Sequence, residues 1–144
     1  MNTMTEVASE LDWFVESNGT GYDVPKAQLF SIAKTEDGLK FVKANENGDV
    51  YDLLTSRKSV TVAKKAYAIG VLTVGWAAPV EDDDHSDLAP SEHPKRRRVR
   101  LICVASREDV ASVLRFQDDN DNPITDDGQA VGSLANAIRE LVSA

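Results

Sequence analysis

The sequence predicts a single α+β domain over residues 1–144. Its expected form is a mainly antiparallel sheet of about five strands, with an N-terminal, a middle and a C-terminal helix packed on it. Three observations carry this. Segments near the two ends of the chain, 4–17 and 128–142, repeat apolar residues at helical spacing. Between them lie short apolar or alternating runs separated by Gly, Asn, Asp and Pro, the punctuation of strands and turns. Apolar residues make up 42% of the chain and are interspersed with charge, the composition of a chain that buries a core rather than a disordered one.

Each element has its own local reason. Over 4–17, Met4, Val7, Ala8, Leu11, Phe14 and Val15 form one apolar stripe. Thr3-Met4-Thr5-Glu6 has the pattern of a capping box, and Asn18-Gly19 supplies the stop. Residues 27–34 and 39–43 read as two strands closed into a hairpin by Thr35-Glu36-Asp37-Gly38. Residues 44–55 contain a turn at Asn45, Asn47 and Gly48, followed by either a short strand or a helical turn. The spacing of Val60, Ala63, Ala66 and Tyr67 predicts a helix over 57–68, against the β-branched Val60, Thr61 and Val62.

Ile69 to Ala78 is apolar on both faces, as expected of a strand covered on both sides, and Trp76 within it is expected in the core. Residues 81–96 read as a flexible polar loop. The segments 97–105 and 109–117 then form two strands around a tight connection at Ser106-Arg107-Glu108. Val99, Leu101 and Cys103 alternate with Arg98 and Arg100, the pattern of a strand with one buried face. In the final helix Val131, Leu134, Ala135, Ile138, Leu141 and Val142 repeat the N-terminal spacing, and Asp126 and Asp127 suit its positive end.

The order helix, two strands, helix, three strands, helix is similar to that of roadblock/profilin-like folds, which implies an interaction module. A more local pattern is Gly75-Trp76-Ala77-Ala78-Pro79, then His93-Pro94 with Arg96-Arg97-Arg98-Val99-Arg100, then Val113-Leu114-Arg115 and a closing helix. Over roughly residues 69–142 this resembles small uncharacterised proteins of high-GC Gram-positive bacteria. The resemblance implies a bacterial cytoplasmic setting and assigns no residue roles.

Charge and composition exclude several function classes. A formal net charge of −8 repels phosphate over most of the surface and argues against nucleic acid and anionic membranes as partners. The longest uncharged run, Ala66 to Val80, has 15 residues, fewer than the ~20 that span a bilayer. One cysteine, Cys103, permits no internal disulfide and no cysteine metal cluster, which suits a reducing cytoplasm.

Motifs for phosphate loops, dinucleotide binding, nucleophile elbows and HExxH zinc sites are missing from the sequence, so no catalytic residue, metal ligand or cofactor is assigned. His85 and His93, with Asp82, Asp83, Asp84 and Asp87, read as a solvated acidic loop rather than a mixed imidazole–carboxylate site. Asp118-Asp119-Asn120-Asp121-Asn122-Pro123 imitates the start of a calcium loop. It has Pro123 where the turn needs glycine and Gln129 where a bidentate glutamate belongs, so an acidic strand-to-helix turn is expected.

Two features point to partners. Trp13 lies about 180° from Met4 on a helical wheel, opposite the apolar stripe, so it is either covered by the 18–26 loop or exposed as an interaction anchor. Lys95, Arg96, Arg97, Arg98 and Arg100 form a basic cluster, with five acids before it at 81–87 and five after it at 118–127. In an antiparallel pair, residues 95–98 and 118–121 approach one another, which would neutralise part of the cluster within the fold. The reading is therefore a non-catalytic interaction or regulatory module, homodimeric or bound to another protein, with Trp13, Arg96 and Arg97 facing the partner. The alternatives are nucleic-acid or phosphate binding through Lys95 to Arg100, and an enzyme whose site assembles at loop 81–96.

Overall fold

The computed structural model describes residues 3–19, 21–77, 92, 94–126 and 133–143. Its elements are α1 (Met4–Ser17), β1 (Ala27–Thr35), β2 (Gly38–Asn47), α2 (Val50–Thr55), α3 (Arg57–Lys65), β3 (Ala68–Ala77), β4 (Arg97–Ala105), β5 (Val110–Phe116), β6 (Ile124–Asp126) and α4 (Ser133–Ser143). The expected loop at 81–91, residue 93 and the first turn of the expected C-terminal helix lie outside the described residues.

All strand pairings are antiparallel, in the order β2-β1-β3-β4-β5-β6. The α+β class holds, with six strands among the described residues where about five were expected. The extra strand is β6, which turns back from the acidic segment to pair Ile124 with Leu114. A 3-10 turn, Gln117–Asp119, makes that reversal, so the segment leads to a strand before it leads to a helix.

The sheet separates two apolar cores. On one face α1 seats Met4, Val7, Ala8, Leu11 and Val15 on Phe30, Ile32, Leu72, Ile102, Val104 and Val113. On the other face α2, α3 and α4 bring Leu53, Leu54, Ala63, Ile138 and Leu141 onto Leu29, Ile69, Val71, Cys103 and Val110. Each fully buried Leu, Ile or Val contributes about 1.5–3 kcal/mol to such a core. Both faces of β3 and β4 are therefore covered near the centre of the sheet, and the single buried face expected for β4 is corrected: β4 is an interior strand.

Local chemistry sets the helix ends. Thr3 Oγ1 accepts from the Glu6 N–H at the start of α1, and the Asn18 N–H bonds Phe14 O at its end. The segment 44–55 divides between two elements: Ala44 to Asn47 prolong β2, and Asp49 caps α2 by accepting from the N–H groups of Tyr51 and Asp52. Ser56 is extended and caps α3 through the Ser59 N–H, so the middle helix is two short helices meeting at a corner. Asn45 Nδ2 ties that corner to β2, donating to Ser56 Oγ at 3.1 Å and Ser59 Oγ at 3.2 Å. The helix expected over 57–68 ends at Lys65, because Ala68 already belongs to β3.

Gly70 is fixed by the approach of α1. A Cβ on it would overlap Leu11 Cδ2 and come within 3.2 Å of Val104 Cγ1. Gly38 closes the β1–β2 hairpin at φ 121°, a conformation that residues with a side chain rarely adopt.

Candidate interaction surface

The position of α1 on the sheet is fixed by a buried charge cluster. Arg100 lies on the same face of β4 as Ile102 and Val104 and is 1% exposed. Its Nη2 donates to Asp12 Oδ1 at 3.3 Å and to Glu16 Oε1 at 2.5 Å. Arg115, opposite Arg100 in the β4–β5 ladder, donates to Asp12 Oδ2 from Nη2 at 2.5 Å and from Nε at 3.0 Å. Two arginines of the sheet thus hold two carboxylates one turn apart on the helix. The Asp12 hydrogen bonds raise the pKa of Arg115 further above its already high range.

Tyr22 closes the cluster from the side. Its ring centre is 5.2 Å from the Arg100 guanidinium carbon, and its hydroxyl donates to Asn120 Oδ1. The Asn120 carbonyl in turn accepts from Arg115 Nη1. Burial raises the Tyr22 phenol above its ordinary value, against the opposing field of Arg100.

This arrangement decides the position of Trp13. Residues 21–24 pack over the arginine end of α1, where the Tyr22 carbonyl accepts from Arg98 Nε at 3.0 Å and Val24 joins the α1 core. They leave Trp13 71% exposed. It stands at the edge of a groove of about 590 Å³ between α1 and β2, with Ser9, Glu10 and Phe14 on the helix side and Leu39, Lys40 and Phe41 on the strand side. Phe14 supports the groove floor, its ring centre 5.4 Å from that of Phe41 and 6.3 Å from that of Phe30. The groove opens onto β2, an outermost strand of the sheet, where Val42 is 50% exposed.

The basic cluster is largely engaged within the fold. Arg97 meets Asp118 as a fork, with Nε 2.9 Å from Oδ2 and Nη2 2.5 Å from Oδ1, and its guanidinium carbon lies 3.9 Å from the Phe116 ring centre. This hydrogen bonding holds the Asp118 carboxyl below the usual aspartate range and raises Arg97. The expected approach of 95–98 to 118–121 is realised in this pair. Arg100 is buried beneath α1, so it does not belong to an exposed basic surface.

Trp76, expected in the core, is instead 39% exposed. Its ring centre lies 5.0 Å from the guanidinium carbon of Arg96 and 4.9 Å from that of Arg98, so two cations cover the ring instead of apolar side chains. The buried stretch of β3 ends at Leu72, and Thr73 onward emerges from under the helices. None of the five cations lines the Trp13 groove, so the two features combined in the sequence reading are separate surfaces.

Sequence reasoning missed Asp12, Tyr22 and Arg115, and also Leu39 and Phe41 as groove walls. His85, His93 and the acids at 81–87 lie outside the described residues. Among the described residues no cluster of His, Cys, Asp or Glu could hold a metal ion. Among them, too, no helix is long and apolar enough to cross a membrane.

The fold and this surface define the chain as an α+β domain with an open antiparallel sheet and an aromatic groove beside one edge strand. It matches no protein-family model, no curated protein and no solved structure.

Proposed function

We propose that the protein is a non-catalytic interaction module of a reducing, bacterial cytoplasm that forms a homodimer through the groove between α1 and β2. The observation that carries this is the 71% exposure of Trp13 above a groove walled by Phe14, Leu39 and Phe41. Leaving a tryptophan in water costs hydrophobic free energy that a partner can recover, and aromatic residues concentrate at interface centres. A second copy suits the site because Glu10 lines the helix wall of the groove and the α1-facing side of β2 carries Lys43, so that a symmetric partner brings a cation toward each groove. Sedimentation velocity over a wide concentration range tests the reading: the wild type forms dimers and Trp13→Ala shifts them to monomers. A wild type that remains monomeric throughout contradicts it.

Phosphate or nucleic-acid binding through Lys95 to Arg100 is the weaker reading. Arg97, Arg98 and Arg100 already donate to Asp118, the Tyr22 carbonyl and the α1 carboxylates. Titration with duplex and single-stranded oligonucleotides at ~50 mM salt, where phosphate contacts are strong, distinguishes the two. An enzyme built on loop 81–96 is not favoured by any observation on the described residues.

A further inference from the structure

We infer that the two copies join edge to edge through β2, in an antiparallel ladder centred on Phe41, forming one continuous sheet with six strands from each copy. The inference rests on the groove being a self-association surface and adds the register and the groups that set it.

Symmetry restricts the choice. A two-fold axis perpendicular to the sheet carries each face of one copy onto the same face of the other, and directly opposed residues of an antiparallel ladder share a face. The self-pairing of β2 must therefore be centred on a residue and not between two. Centring on Lys40 or Lys43 sets identical ammonium groups opposite one another, which opposes pairing. Lysines on an edge strand commonly act in this way to prevent unwanted pairing. A centre at Leu39 pairs Gly38 with Lys40 and runs into the hairpin turn.

A centre at Glu46 sets identical carboxylates opposite one another, and centres at Ala44, Asn45 or Asn47 lie at or beyond a break in the strand, which leaves Val42 and Phe41. The β1–β2 register skips Ala44 between Asn45 and Lys43, so the ladder is irregular there. Centring on Val42 sets Lys40 against Ala44 and carries the pairing through the irregularity. Centring on Phe41 uses the regular stretch Leu39 to Lys43.

The Phe41-centred register also completes the groove. Lys43 opposes Phe30 in the β1–β2 ladder, so Leu39, Phe41 and Lys43 share the face that carries α1. Both α1 helices of the dimer then lie on one side, each Trp13 above the paired strands. Phe41 meets Phe41 of the second copy beneath them. Lys43 of the second copy lies opposite Leu39, in the groove that Glu10 lines, where its ammonium, 3.3 Å from Glu46 within its own strand, exchanges that exposed partner for Glu10. On the other face Lys40 of each copy lies opposite the exposed Val42 of its mate. The charge of −8 on each copy is screened beyond the Debye length of about 8 Å at physiological salt, so only charges close to the seam oppose association.

The Lys40–Val42 opposition gives a test on an exposed side chain. Val42→Lys sets like charges opposite one another twice in each dimer and weakens dimerisation at least ~10-fold, whereas Val42→Glu pairs with Lys40 and leaves it equal or tighter. Lys40→Glu combined with Val42→Lys restores the dimer. Dimerisation is read by sedimentation velocity, and circular dichroism shows that each variant is folded. If Trp13→Ala dissociates the dimer while the Lys and Glu variants at 42 behave alike, the register is overturned and the groove reading stands. A wild type that is monomeric at every concentration overturns both.

Discussion

Arg100 and Asp12 lie 88 residues apart in sequence, yet the arginine Nη2 stands 3.3 Å from the aspartate Oδ1 in the interior. The contact attaches the first helix to the fourth strand. Together with Arg115 and Glu16 it places the other side of α1, with Trp13, toward the β2 edge.

Asp12→Asn removes a carboxylate shared by two arginines and leaves their charge under-compensated in a buried site. The expected loss is ~3 kcal/mol or more in urea denaturation, because breaking a buried pair by removing one partner exposes the full desolvation cost of the other. Replacing Asp12, Arg100 and Arg115 together with apolar residues of similar size costs less than the single change. A single change that is the milder of the two contradicts the clamp.

Gly70→Ala tests the closeness of α1 to the sheet. The added methyl overlaps Leu11 and destabilises the fold by about 1–3 kcal/mol as an overpacked core contact. Leu11→Ala alone costs about 2–5 kcal/mol. The double variant loses less than the sum of the two, since the methyl occupies part of the space that the leucine vacates. Strict additivity in denaturant melts would show that the two positions do not share that space.

Arg97→Ala returns the Asp118 carboxyl to the ordinary aspartate range, an upward change followed by carbon-detected NMR titration. Because the folded-state value is depressed, the pairing supports the fold above the unfolded value of ~3.9 and loses that effect as pH falls through the folded value. The wild type therefore loses more stability than the variant over that acid window. The pair is exposed on both sides, so the stability difference at neutral pH is small.

Tyr22→Phe acts at the opposite end of the pH scale. A phenol raised by burial favours the fold below its unfolded value near 10, and that contribution disappears as pH rises through the folded value. Thermal melts through the alkaline range show a steeper decline for wild type than for the variant. At neutral pH the variant loses about 1 kcal/mol from the missing bond to Asn120.

Elements with local causes are legible in the amino-acid sequence alone. The stripe and capping residues of α1 lie within a few positions of one another, as do the hairpin residues 35–38 and the alternation of β4 and β5, and each was legible for that reason. Asp12 stands four residues after Ala8 and three before Val15, on the flank of the apolar stripe, where the sheet buries it and its carboxylate requires a partner. Tertiary structure decided what depends on contacts between distant segments. Arg100 alternates with apolar residues as a solvent-facing arginine would, and only its central place in the sheet puts it under α1. Trp76 reads as core until the pairing of β3 with β4 brings Arg98 beside it where the helices no longer cover the strand. Trp13 was ambiguous because its exposure depends on whether residues 21–24 pack over it or over the arginines. The arginines hold that segment through the Tyr22 carbonyl and ring, and the tryptophan stays in solvent beside an open strand.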